Sequence, residues 1–168
     1  GDRVIYMSGF SKSVAAALRI SFMILPQDLL EKYEAHYSSE CPVSGFVQRA
    51  LCEFIRDGSF ERHVNRMRTL YAKKNNLLLQ LLQEAGYELF NYHSGTSLVT
   101  RLNASVTEKK LQALRRAGIK INTVADFCQE GSEEAAMMRN YFIFGFAGAT
   151  EKELTAGLSL FQQILDSD

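Results

Sequence analysis

The reading of the fold turns on Val4-Ile5-Tyr6-Met7-Ser8-Gly9-Phe10-Ser11-Lys12-Ser13 and its continuation, Arg19-Ile20-Ser21-Phe22-Met23-Ile24-Leu25-Pro26. Val4 to Met7 is a short apolar run and predicts a strand. Ser8 to Ser13 is a polar turn that contains a glycine. Arg19 to Leu25 predicts a second strand, rich in β-branched and aromatic residues and stopped by Pro26. This second run is almost continuously apolar, which predicts cover on both faces, as in the sheet of an α/β protein. Two strands do not make a stable sheet alone. The chain is therefore expected to start inside a larger sheet.

Working outward, Pro26 suits the first turn of a helix, and Leu29, Leu30 and Tyr33 follow at helical spacing. Glu40 to Val43, with Pro42, reads as a break. Phe46, Val47, Ala50, Leu51, Phe54 and Ile55 form the apolar stripe of a second helix, which Gly58 ends. Ser59 opens a longer helix to about Ala85, roughly 40 Å at about 1.5 Å per residue. A helix of that length commonly crosses from one lobe to another. Beyond Gly86, Tyr87 to Tyr92 and Ser97 to Leu102 predict strands. Ser105-Val106-Thr107-Glu108 is a capping box for a helix to about Ala117, closed by Gly118. Ile119 to Val124 predicts a strand, Gln129 to Ala135 a polar loop, and Tyr141 to Ala147 a last strand. Thr150-Glu151-Lys152-Glu153 is a second capping box, and its helix is expected to end near Leu165. Strand, strand, helix, strand, strand, helix describes a small two-layer α/β lobe.

Composition narrows the function classes. Of the 168 residues 46% are hydrophobic and 23% charged, enough to build a core and to exclude wholesale disorder. Nineteen basic and nineteen acidic residues cancel, so there is no global basic footprint for nucleic acid or an anionic membrane. No apolar run approaches the roughly 20 residues of a membrane span. Gly1-Asp2-Arg3 does not read as the start of a signal peptide. Cys41, Cys52 and Cys128 are an odd, widely spaced set, which argues against a disulfide framework and for a reducing compartment, with the cytoplasm expected. His36, His63 and His93 lie too far apart for a ligand spacing, so no metal site is expected. Cys52 falls in the apolar stripe and is expected in the core, while Cys41 and Cys128 sit near loops. Arg62, Arg66, Arg68, Lys73 and Lys74 make the long helix basic. That reads as a solvated or interdomain face, or as a surface for an acidic partner. Arg115, Arg116 and Lys120 read the same way.

The constellation that could carry chemistry is Ser11-Lys12 in the first turn, with Arg19 seven residues after the lysine. A lysine between buried strands can be partly desolvated, which lowers its pKa and frees the amine for Schiff-base chemistry. An arginine at the start of the next strand can return to the same cleft, and its planar fork suits a phosphate. The competing reading is a solvated turn lysine and an edge-strand arginine.

These residues resemble a family. Asp2 to Ser13, followed by Leu18-Arg19-Ile20-Ser21-Phe22-Met23-Ile24-Leu25-Pro26, is similar to the lysine segment of fold-type I pyridoxal-phosphate enzymes. The nearest likeness is to the aminotransferase-like domain of MocR-type regulators of the GntR superfamily. Those proteins join an N-terminal winged helix-turn-helix to an aminotransferase-like effector domain. The likeness continues through Phe60-Glu61-Arg62-His63-Val64-Asn65-Arg66-Met67-Arg68, which resembles the helix between lobes, and through Phe144-Gly145-Phe146-Ala147.

The resemblance implies that Lys12 forms the internal aldimine with pyridoxal phosphate and that Ser11 and Arg19 contact its phosphate. It implies that residues 1–58 are the end of the large domain, 59–85 the linking helix and 86–168 the small domain. It implies a homodimer, with DNA bound only through a separate winged helix. Two positions depart from the pattern. Gly9 stands where relatives carry Ser or Thr. Ile143 stands where many aminotransferases carry the arginine that grips the substrate carboxylate. The expectation is the C-terminal piece of a ligand-sensing effector domain, inactive alone; the alternative is a piece of a true class I/II aminotransferase. The groups that would pair with the pyridine nitrogen and stack on the cofactor ring are expected to precede this segment.

Overall fold

The computed structural model describes residues 3–37, 43–90, 95–102 and 106–167. Cys41, Pro42, His93, Ser105 and the end of the strand expected up to Tyr92 lie outside the described residues. The chain divides into two compact units, Gly1–Arg68 and Thr69–Asp168. The division falls within the long helix rather than at either of its ends.

In the first unit, β1 (Tyr6–Gly9) and β2 (Ser21–Ile24) form an antiparallel pair, with Tyr6 opposite Ile24 and Gly9 opposite Ser21. The bond from Phe10 N–H to the Ile20 carbonyl, 3.0 Å, continues this register at the loop end. Even-numbered residues of β1 are therefore the bonded ones. The next bonded rung would set Val4 against Pro26, which has no N–H to give. That is why β1 begins at Tyr6 and not at Val4. The Pro26 carbonyl instead accepts from Leu29 and Leu30 and starts α1 (Gln27–Tyr37).

Helix α2 (Gly45–Arg56) carries the apolar stripe, and Gly58 (φ 74°) makes the left-handed turn before α3 (Ser59–Glu84). Asp57 joins the two helices by accepting the Ser59 N–H at 2.8 Å and the Ser59 hydroxyl at 2.9 Å. Those bonds hold its carboxyl below its ordinary pKa, with Arg62 adding to the effect. Rings of Phe22, Phe10, Phe60 and Phe54 follow one another at 5.8, 5.9 and 6.4 Å and tie the hairpin to the helices.

Two expectations fail in this unit. The strands are not covered on both faces: β1 and β2 are largely exposed, with Met7 71% and Ile24 60% accessible. Cys52 is exposed rather than in a core. The cause is the same in both cases. The ring contacts around Phe60 cover little of the two-stranded sheet and the helix stripe, and among the described residues of this unit Ile20 alone is buried.

The second unit is the two-layer lobe. Strands β3 (Glu88–Phe90), β4 (Ser97–Arg101), β5 (Asn122–Thr123) and β6 (Tyr141–Gly145) form one antiparallel sheet in the order β3-β4-β6-β5. The helices are α4 (Glu108–Arg116), α5 (Glu133–Met137) and α6 (Glu151–Asp166), with the second half of α3. Leu78 and Leu82 of α3, Leu98 of β4, Leu114 of α4, Phe142 of β6 and Leu154, Leu158 and Phe161 of α6 make one core.

The capping box at Thr150 is reciprocal: Thr150 Oγ accepts from Glu153 N–H, and Glu153 Oε2 accepts from Thr150 N–H at 2.7 Å. Those bonds hold Glu153 below its ordinary pKa. At α4 the cap is Thr107, and its hydroxyl accepts from Lys110 N–H. Lys74 is buried, and its Nζ donates to the Ala147 carbonyl at 3.0 Å, fixing the turn before α6. Lys73 pairs with Glu151 at 2.8 Å. The basic character of α3 in this unit is thus spent on structure. Among the described residues no helix is long and apolar enough to cross a membrane.

Candidate functional site

The loop between β1 and β2 carries the three residues singled out from the sequence. The rung from Phe10 N–H to Ile20 C=O closes it, and Val14 N–H to Phe10 C=O (2.8 Å) tightens its first turn. Ser11 follows Phe10 and Arg19 precedes Ile20. The hydroxyl-bearing and guanidinium-bearing residues therefore stand at the two feet of one closed loop, with Lys12 next to Ser11. A short 3-10 turn, Ala16–Leu18, brings the chain back. Lys12 and Arg19 are exposed and Ser11 is half-buried. The desolvation expected of Lys12 is therefore not supplied here, because the strands beside it are themselves uncovered.

Two features of the loop depend on backbone geometry. Arg19 is the one non-glycine residue with positive φ (50°) among the described residues. A side chain in that region costs roughly 1–2 kcal/mol, and such strain tends to mark functional positions. At Gly9 a Cβ would stand 3.1 Å from the Ile20 carbonyl and 3.5 Å from Ser21 Cα. The glycine thus belongs to a close approach of β1 to β2, and a serine there would push on backbone.

Ile143 lies in the middle of β6, opposite Val99 on one side and Asn122 on the other, and is half-buried. The residue that shares its face two rungs of chain away, Arg101, lies opposite Tyr141. It stands 6.0 Å over the Tyr141 ring and 3.6 Å from Glu88. A feature the sequence reading missed lies where a loop was expected. A cavity of about 590 Å³ beside α5 has a mixed lining that includes Leu111, Glu108, Asp126, Cys128, Glu130 and Arg139.

A lysine loop between two strands in one unit and an antiparallel two-layer lobe in the other are the parts of an aminotransferase-type α/β protein. The chain belongs to the aminotransferase class I and II family, which matches residues 1–156. It is 36% identical over 162 residues to the HTH-type transcriptional regulator YdeL of Bacillus subtilis, covering 94% of this chain and 34% of that protein. It is 28% identical over 168 residues to the probable rhizopine catabolism regulatory protein MocR of Rhizobium meliloti, covering 94% and 32%. The chain thus spans about a third of the length of the curated relatives it matches. Among solved structures it matches the kynurenine aminotransferase of Pyrococcus horikoshii, crystallised with PMP. That match has a TM-score of 0.78 and 22% identity, covering 98% of this chain and 41% of that one.

Proposed function

We propose that this chain works as the C-terminal part of an effector domain that holds pyridoxal phosphate and regulates transcription by responding to a small amine or amino acid. The observation that carries the reading is the loop closed by Phe10 and Ile20, with Ser11 and Arg19 next to the closing rung and Lys12 following Ser11. One amine, one hydroxyl and one guanidinium are the donor set for an aldehyde that also bears a phosphate. Bound there, the cofactor supplies an electrophilic carbonyl and an electron-withdrawing ring. The chain's own residues do the rest. Lys12 would offer an exposed amine, Ser11 would donate its hydroxyl to the phosphate, and Arg19, which has a positive φ, would add a charged fork.

Ile143 favours sensing over turnover. A substrate carboxylate finds no guanidinium at that position, so a bound amino acid is not gripped in the manner of a transaminase. The sequence matches to regulators, which run over 94% of the chain, support the same choice, while an aromatic-amino-acid aminotransferase of Thermococcus litoralis matches over 51% of it. A second reading, a piece of a true aminotransferase, is favoured by the likeness to solved aminotransferases, which shows the fold alone. On the regulator reading the working protein is a cytoplasmic homodimer whose separate winged helix binds DNA. The exposed faces of β1, β2 and α2 are covered by the rest of the effector domain.

An effector moves such a regulator only by binding one of its states more tightly. The test is DNA binding by the full-length protein, followed by fluorescence anisotropy with and without pyridoxal phosphate and a panel of amines. The expected result is a cofactor-dependent shift in DNA affinity that Lys12→Ala removes. A protein that converts amino acids to keto acids, with DNA affinity blind to Lys12, would support the enzyme reading instead.

A further inference from the structure

We propose that the second unit carries a pocket for a small apolar carboxylate, a single aromatic ring or branched chain bearing one acid group, in the wedge where the chain leaves the β6 edge. This inference does not draw on Lys12. Strand β6 is paired with β4 over five positions, from Ser97 opposite Gly145 to Arg101 opposite Tyr141. On its other edge β5 supplies only two, Asn122 opposite Ile143 and Thr123 opposite Phe142. The bonds from Phe146 N–H to Thr96 C=O and from Leu102 N–H to Asn140 C=O fix the alternation. Even-numbered residues of β6 turn their backbone polar groups to β4, and odd-numbered ones turn theirs to the β5 side. Ile143 meets Asn122 there. Gly145 would meet Lys120, but the pairing has already ended at Asn122, and the Gly145 N–H and C=O open into a cavity of about 200 Å³.

The cavity is lined mainly by apolar side chains. Ile119 and Ile121 form one wall and Leu154, Leu158 and Phe161 of α6 the floor. Gly145 and Gly157 are among its lining residues. A Cβ added at Gly145 or at Gly157 would meet nothing within 4 Å, and neither residue has a positive φ. Crowding and backbone conformation therefore explain neither. Gly157 in particular sits inside α6, where glycine is disfavoured.

Two charged side chains also line it, Lys120 and Glu153. Glu153 is held by the Thr150 N–H and hydroxyl at 2.7 and 2.8 Å. Lys120 is exposed and takes part in no ion pair among the described residues. The donors left for a ligand are thus the Lys120 ammonium and the Gly145 N–H, a pair that suits a carboxylate, with the Gly145 C=O beside them as an acceptor. An apolar cavity of about 150 Å³ accepts benzene. This one has room for a ring and a short acid arm.

The test is a titration of the ¹⁵N-labelled chain with phenylacetate, read by amide shifts, with benzyl alcohol as the neutral probe. The expected result is saturable binding at about 1 mM or tighter, with shifts centred on Ile119, Lys120, Ile121, Gly145 and Gly157. Lys120→Met should weaken phenylacetate about tenfold, the loss of one charge-assisted hydrogen bond, and leave benzyl alcohol unchanged. Gly157→Leu should abolish binding of both probes. Gly157→Ala, which suits a helix better than glycine, should fold at least as well and weaken both. The proposal is overturned if phenylacetate gives no saturable shifts, if both Gly157 variants bind as the parent does, or if Lys120→Met weakens the two probes equally.

Discussion

Truncating Phe161 should cripple the second unit, and the structure sets the size of the loss. Its ring is fully buried, 5.9 Å from the Phe142 ring and 5.1 Å from that of Phe144, edge-on to both at 71° and 80°. It packs α6 against two residues of β6 in the core of this unit. Replacing a buried phenylalanine with alanine removes its transfer free energy and leaves a cavity, together about 3–5 kcal/mol. Each kilocalorie lowers the melting temperature of a domain of this size by roughly 4–8 °C. Phe161→Ala should therefore melt at least ~12 °C below the parent, or fail to fold. Phe161→Leu keeps most of the apolar volume and loses the edge contacts, each worth about 0.5–1.5 kcal/mol, so it should fold with a smaller drop. Leu160→Ala, one residue earlier and 36% exposed, should cost about 1 kcal/mol. The assay is urea unfolding followed by far-UV circular dichroism, with thermal melts alongside. Equal losses for Phe161→Ala and Leu160→Ala would refute the packing of α6 onto β6.

Further outcomes follow from single features. Thr150→Ala should destabilise by about 1 kcal/mol, the usual worth of an N-cap, read by the same unfolding curves. Glu153 and Asp57 are held below their ordinary values of 4.5 and 3.8 by hydrogen bonds to Thr150 and Ser59. Their contribution is complete above those values and is lost as the pH falls below them through the lowered folded pKa. Unfolding curves between pH 6 and 3 should show that loss, blunted in Thr150→Ala. Arg19→Gly should be roughly 1 kcal/mol more stable than Arg19→Ala, because glycine accepts the positive φ and alanine does not. Both variants should bind phosphate-bearing aldehydes more weakly than the parent. The uncovered faces of β1 and β2 should drive self-association, seen by light scattering and reduced by Met7→Lys. A monodisperse monomer at high concentration would contradict that.

The long helix and the caps were legible because their signals are local. Gly58 before and Gly86 after bracket α3, which ends at Glu84, one residue short of the expectation. Thr150 and Glu153 are three residues apart whatever else the chain does. Features set by distant pairing were not legible. Ile119 and Ile121 read as strand residues, yet they pack towards the core as the chain leaves β6, and only Asn122 and Thr123 pair. Ser132-Glu133-Glu134-Ala135 fell within the expected polar loop from Gln129 to Ala135, although a serine followed by acidic residues and alanine is a helix start. The Ser132 hydroxyl accepts from Ala135 N–H and opens α5. The stripe holding Cys52 is real, but the alternation of apolar residues says nothing about which partner covers them.

At the candidate site the residue types were readable from the turn between two apolar runs. Their placement was not. The closure of the loop, the strain at Arg19 and the close approach at Gly9 all come from the register that sets Phe10 against Ile20.

The central claim, that the Lys12 loop is a cofactor-attachment site, is tested most directly by covalent mapping. The chain is mixed with pyridoxal phosphate, reduced with borohydride, digested and analysed by mass spectrometry. The account predicts saturable labelling of Lys12 well above every other lysine, weakened by Arg19→Ala. Even labelling across Lys12, Lys32, Lys109, Lys120 and Lys152, indifferent to Arg19, would contradict it.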